Sequence, residues 1–250
     1  MSDFKLPTEI IDLPSKGLLY PLDNPLSSGK IEMKYMTAKE EDILSNTNFI
    51  KRGIVLDQLF KSLIVSKVEY DDLVMGDLNA VMIAARILGY GKNYTFNYIN
   101  PNTFEREEVT VDLTSFKEKP VDYSLYQNQN EFDFVLPNSK IPVKVKLPTV
   151  KDERMIKEEL ASLAKHGLSA EITTRLRFIL VEVNGSREKS VISRFATDMQ
   201  ASDARELRKF VASINPEYEL KFDFVGQDGY VQEGVELPLN PSFFYPSTRA

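Results

Sequence analysis

The chain has 250 residues, 42% of them hydrophobic, enough to bury a sizeable interior in one large domain or two smaller ones. Its 31 basic residues are interleaved with 37 acidic ones for a net charge of −6, which argues against a nucleic-acid groove. The absence of cysteine excludes disulfides and thiolate metal sites, and neither a signal-peptide-like start nor an apolar run of about 18 residues is present, so a soluble cytosolic protein without a membrane partner is expected.

Residues 1–29 carry Pro7, Pro14, Pro21 and Pro25 outside any apolar repeat, a spacing that predicts an extended arm lying over a surface. Its apolar residues Leu13, Leu18, Leu19 and Tyr20 have two possible destinations, the chain's own core or a neighbouring subunit. Residues 30–113 read as a helical unit with a β-hairpin. Ile31, Met33 and Tyr35 alternate as a strand should. Thr37 and Glu40 then have capping-box spacing, and Glu40, Glu41 and Asp42 oppose the positive helix start. Val55, Leu56, Leu59, Phe60 and Leu63 repeat at helical period, as do Leu78, Val81, Met82, Ala85 and Leu88 before Gly89 and Gly91. Tyr94, Phe96 and Tyr98, a turn at Asn100-Pro101-Asn102, and Val109, Val111 and Leu113 predict the hairpin.

Residues 114–130 are polar and aperiodic, a linker. Residues 131–250 read as a mixed α/β unit that opens with a second hairpin, from Phe132-Asp133-Phe134 to Val143-Lys144-Val145. Thr149 caps a helix with Met155, Ile156, Leu160 and Leu163 as its buried stripe, closed by Lys165-His166-Gly167. Further helices are expected over Ala170–Val181, over Lys189–Met199 and from Ser202, before a third hairpin with Leu220, Phe222 and Phe224 on one arm and Val231, Val235 and Leu237 on the other. The fold class is α+β. The closing Phe243-Phe244-Tyr245-Pro246 would leave several hundred Å² of apolar surface in water, so these rings must dock, either on the third hairpin or on another protein.

Candidate chemistry is sparse. His166, the only histidine, sits where a cation favours a helix C-terminus, and no Gly-x-Ser-x-Gly elbow supports a serine hydrolase. Gly89-Tyr90-Gly91-Lys92 lacks the Ser/Thr after its lysine and follows a helix, the reverse of a phosphate loop's context. The acidic groups Glu69, Asp71 and Asp72 abut a helix start and lack the alternate spacing of a calcium loop. No catalytic residue, metal or cofactor is assigned.

The run Met33-Lys34-Tyr35-Met36-Thr37-Ala38-Lys39-Glu40-Glu41-Asp42-Ile43-Leu44 resembles the signature of a family of tail proteins from T4-like bacteriophages, the T4-type baseplate proteins tied to the baseplate hub. Leu13-Pro14-Ser15-Lys16-Gly17 with Tyr20-Pro21, Gly76-Asp77, Arg86-Ile87-Leu88-Gly89-Tyr90-Gly91 and Phe243-Phe244-Tyr245-Pro246 are similar to further family motifs, in the same order. The resemblance implies a non-enzymatic protein that takes part in assembly of the baseplate hub in the host cytoplasm, as a virion subunit or a released chaperone. Its partners would be other hub or tail proteins, touched through Leu18, Leu19, Tyr20, Phe243, Phe244 and Tyr245. The alternative is a hub-associated cell-wall hydrolase. Family members often carry Cys-x-x-Cys pairs at the first and third hairpin turns, the spacing of a zinc ribbon. Here those places are Asn100-Pro101-Asn102-Thr103 and Val225-Gly226-Gln227-Asp228-Gly229, so the expectation is a ribbon without its cysteines in which apolar contact replaces the metal.

Overall fold

The structure, a computed structural model, describes residues 7–239 together with 243 and 244. β1 (Thr8–Asp12) lies antiparallel to β2 (Lys30–Lys34), and α1 (Ala38–Ser45), α2 (Thr47–Lys51), α3 (Val55–Leu63) and α4 (Met75–Tyr90) follow. The first long hairpin is β3 (Asn93–Ile99) with β4 (Arg106–Asp112). Next come β5 (Phe132–Val135), β6 (Pro142–Val145), α5 (Val150–Lys165), α6 (Glu171–Ile179), β7 (Leu180–Val183), α7 (Lys189–Asp198) and α8 (Ala201–Ile214). The chain then forms a last hairpin, β8 (Lys221–Val225) with β9 (Val231–Glu236). Helices and small antiparallel sheets are mixed throughout, so the fold is α+β.

The proline-spaced N-terminal stretch is built into the fold, where an extended arm was expected. β1 hydrogen-bonds along β2, and the residues between them close a compact loop: Lys16 N–H donates to Leu13 O, Leu18 N–H to Ser15 O and Tyr20 N–H to Gly17 O. Gly17 is essential to this loop. Its φ is +78°, and a Cβ there would stand 2.3 Å from Ser27 O. Leu13, Leu19, Tyr20 and Leu26 are buried as a result. The prolines thus shape turns that return the chain to β2.

The stretch 114–130, expected as a linker, also packs into the interior. Two short 3-10 turns, Leu113–Ser115 and Tyr123–Leu125, are capped by Asp112 and Asp122, whose side chains accept from the N–H two residues on. Tyr126 is buried and donates to Ile214 O at 2.6 Å, and Tyr123 donates to Pro14 O at 3.0 Å. One contiguous hydrophobic core therefore runs from Leu13 to Phe244 and draws on both halves of the chain.

Two expectations in the C-terminal half need correction. The helix expected over Ala170–Val181 stops at Ile179, because Leu180–Val183 becomes a third strand on the second hairpin, in the order β5-β6-β7. Val145 pairs with Leu180 and Val143 with Val183, which lets the branched side chains pack on a sheet. In α5 the buried stripe is narrower than expected: Ile156 is fully buried, Leu160 and Leu163 are half-buried, and Met155 is 43% exposed.

Several helix starts share a device that helix-dipole reasoning anticipates only in part. Glu40 in α1 accepts from Thr37 N–H at 3.0 Å and also binds Lys34 Nζ of β2 and Ser62 Oγ of α3, both at 2.7 Å. Asp152 in α5 holds Lys146, and Asp203 in α8 accepts from Asn138 and Ser139 in the β5–β6 turn. The acid in each first turn ties a neighbouring element to the helix start, and Glu40 and Asp152 also close capping boxes on their own helices.

Candidate functional site

The two long hairpins, far apart in sequence, face each other through their aromatic arms. Tyr98 meets Phe222 at 5.7 Å and Phe224 at 4.7 Å between ring centroids, and Phe96 meets Phe222 edge-on at 5.3 Å. The ladder continues through Tyr94, which stacks on Phe96 at 5.0 Å and meets Phe243 at 4.9 Å. Phe243 touches Phe244, which reaches Phe60 of α3 at 5.9 Å. Strand alternation places these rings on one side of each hairpin, so the sequence pattern carried this surface.

At the hairpin turns the expectation of purely apolar contact gives way to a polar cluster. The Asn100 amide donates to Glu107 Oε1 at 2.7 Å and to Asp228 Oδ1 at 2.9 Å. Asn102 donates to Asp228 Oδ2 at 2.6 Å, and Gln227 N–H donates to Glu107 Oε2 at 2.8 Å. The backbone approaches closely here: a Cβ on Gly226 would lie 2.5 Å from Asp228 Oδ1 and 2.6 Å from Asn100 Nδ2. The Asn100 and Asn102 donors hold the Asp228 carboxyl below its usual range. Two amides bridging two carboxylates thus join the turns, while the aromatic arms behind them supply the apolar area.

The residues expected to face partners are placed as follows. Leu18 is half-buried, whereas Leu19 and Tyr20 lie in the chain's own core. Tyr20 donates to Asp77 at 2.6 Å and accepts from Val74 N–H at 3.1 Å, at the start of α4. Phe243 and Phe244 are buried, with ring contacts to Tyr94 of the first hairpin and Phe60 of α3, so these rings dock within the chain. Tyr245 and Pro246 lie outside the described residues.

Other motifs resolve into local structure. Arg86 is buried at the end of α4, donates to Gly91 O and Asn93 O, and faces the rings of Tyr90 and Tyr94. Burial pushes its guanidinium down from the ordinary arginine value. Lys92 pairs with Asp112 at 2.8 Å. Gly76 is required because a Cβ there would stand 1.8 Å from Pro216 O. Asp71 forms a two-pronged pair with Arg154, and His166 caps α5 while exposed. Among the described residues, no helix is long and apolar enough to cross a membrane.

A residue that sequence reasoning missed is Phe104. It follows the Asn100-Pro101-Asn102-Thr103 turn, has φ +60° and is 82% exposed. Its N–H donates to Asn100 O at 2.8 Å, so the buried Asn100 that bridges the hairpins also fixes this left-handed residue. Holding a non-glycine residue there costs about 1–3 kcal/mol. Ile99, Val225 and Val231 are exposed on the same two hairpins. The available signal was a lone phenylalanine in an otherwise polar turn.

A comparison with family models matches residues 19–221 to the T4 bacteriophage base plate protein family. The chain belongs to that family. The match spans α1 and its signature, the Gly76-Asp77 start of α4 and the first hairpin, and it ends at the first residue of β8. The Leu13–Gly17 loop and the terminal aromatics lie outside it. Neither the curated proteins nor the solved structures yield a match. A place among phage tail proteins, in the baseplate, follows from family membership.

Proposed function

We propose that this base plate protein acts by contact, without reacting side chains, in assembly of the baseplate hub in the host cytoplasm. Its partners are other hub or tail proteins. Phe104 is the observation that carries this reading. A large ring is held in water by a turn whose conformation is costly, and the chain's own core leaves it uncovered. Rigid exposed aromatics are what protein interfaces use as anchors, since little side-chain freedom is lost when they seat in a pocket.

Phe104→Asp tests the reading. The isolated variant should unfold at the parent's temperature, because the ring touches no core, while phage carrying it should accumulate incomplete baseplates. Normal baseplate yield from a fully folded Phe104→Asp variant would remove the main support. The purified chain should also leave a peptidoglycan suspension turbid, and clearing would turn the reading toward the hydrolase.

A further inference from the structure

β1 is an edge strand with one side unfilled. Pro7 O accepts from Tyr35 N–H and Gly29 O accepts from Leu13 N–H, which fixes the alternation of the ladder. In that alternation Glu9 and Ile11 exchange bonds with β2, whereas the N–H and C=O groups of Thr8, Ile10 and Asp12 point away from it. Among the described residues nothing pairs with those groups. The outer side of β2 is different: Glu32 O accepts from Val65 N–H at 2.8 Å, and Glu32 N–H donates to Ser66 Oγ at 2.8 Å. The sheet therefore stops at β1.

A groove of about 440 Å³ runs beside this open strand. Glu9, Ile10 and Ile11 form one wall, Ala80, Ile83, Ala84 and Ile87 of α4 contribute an apolar surface, and Phe116 and Tyr218 line it as well. The segment bearing Tyr218 is stiffened by its own ladder, with Lys119 N–H donating to Glu217 O and Glu219 N–H to Lys117 O. Ile10 is 65% exposed in this setting, an apolar residue on an unpaired edge, which proteins ordinarily protect. At the Asp12 end the Asp12 carboxylate is paired with Lys30 at 3.2 Å, and Glu118 lies across an antiparallel bridge from Tyr218, which leaves one acid unbalanced. Burial raises Tyr218's phenol, and Glu118 and Asp12 add to the rise.

We propose that the β1 edge and this groove receive an extended segment of a partner protein, added antiparallel to β1. The open backbone groups specify a strand. The small and branched residues of α4 specify apolar side chains at alternate positions, and the one acid that Lys30 leaves unbalanced between Asp12 and Glu118 specifies basic character at the segment's N-terminal end. This inference rests on the contact reading above and names a second surface for it.

The test uses the full chain and a C-terminally labelled peptide, Lys-Lys-Val-Thr-Val-Thr-Val, followed by fluorescence anisotropy. Saturable binding is expected to the parent and to Ile10→Thr, which keeps the backbone donor. Ile10→Pro should weaken it at least about tenfold, since proline removes the outward N–H yet breaks no β1–β2 bond. Equal thermal unfolding of the two variants shows that folding is not the cause. The reversed peptide, with its lysines at the C-terminal end, should bind more weakly. Absence of saturable binding to the parent, or equal binding by folded Ile10→Pro, overturns the proposal, as does equal binding of the reversed peptide for the acidic end. A concentration-dependent dimer lost in Ile10→Pro would put a second copy on the edge and overturn the partner assignment. Because no phage component enters the assay, its failure leaves the assembly reading standing, and that reading falls on the Phe104, peptidoglycan and particle experiments.

Discussion

The Tyr20 hydroxyl donates to Asp77 Oδ2 at 2.6 Å, tying the N-terminal loop to the first turn of α4. Asp77 is fully buried and also accepts from Ser15 N–H at 2.9 Å and Ser15 Oγ at 2.6 Å. Burial raises its carboxyl, and the Ser15 and Tyr20 donors oppose that rise. Tyr20→Phe leaves the carboxylate one donor short in a dry site, so thermal unfolding should show a loss of about 1–3 kcal/mol. Ser15→Ala combined with Tyr20→Phe should depart from additivity, since both serve one acceptor. An unchanged melting temperature for Tyr20→Phe would contradict the tie.

Glu40 predicts an acid-sensitive step. Burial would raise its carboxyl, but hydrogen bonds from Lys34, Thr37 and Ser62 outweigh it and bring the group down to about 2 from the ordinary 4.5. A depressed carboxylate contributes stability that is present in full above its unfolded value. That stability fades as pH falls from 4.5 toward 2, because the unfolded chain takes up the proton first. Denaturant unfolding across that window should show a steeper loss in the parent than in Glu40→Gln. Parallel curves would contradict it. Lys34→Met, which strands the buried carboxylate, should cost about 3 kcal/mol at neutral pH.

The polar bridge between the hairpins predicts a local effect. Asp228→Ala removes the acceptor of both Asn100 and Asn102, so amide exchange should accelerate in the β3–β4 and β8–β9 turns while α5 and α8 keep the parent's protection. Unaltered exchange in both turns would show that the Asp228 bridge is dispensable beside the aromatic arms and the Gln227–Glu107 bond.

Phe243 and Phe244 bind the end of the chain to the core. Phe243→Ala removes a buried ring from between Tyr94 and Phe244 and should cost about 3–5 kcal/mol in denaturant unfolding. Removing residues 241–250 should destabilise at least as much. A truncated chain of parental stability would instead mean that the tail's burial contributes little.

Periodicity recovered most of the elements, because Ile31 and Met33, Leu59 and Leu63, and Phe222 and Phe224 each repeat with the period of the structure they occupy. What it missed depends on long-range partners. The prolines of the first 29 residues report local stiffness, but whether the loop closes is decided by Asp77, which lies 62 residues beyond Ser15. Leu180 and Val181 read as helix until Val143 and Val145 are known to lie alongside the Leu180–Val183 strand. At the hairpin turns the lack of cysteine was legible, yet the Asn100–Asp228 bridge spans 128 residues and has no local signal. The exposed Phe104 and the open β1 edge were missed for a related reason. Exposure and missing backbone partners are properties of the folded surface, and a lone phenylalanine in a polar turn does not by itself say which way its ring faces.

Quantitative mass spectrometry of hub intermediates beside mature tails tests most directly whether the chain does its work inside the assembling baseplate. The chain should be recovered at fixed stoichiometry with hub intermediates, and Phe104→Asp should lower that recovery while leaving soluble levels unchanged. Recovery in mature tails as well marks a retained subunit, and recovery in intermediates alone marks a released assembly factor. Absence of the chain from both fractions would contradict the account.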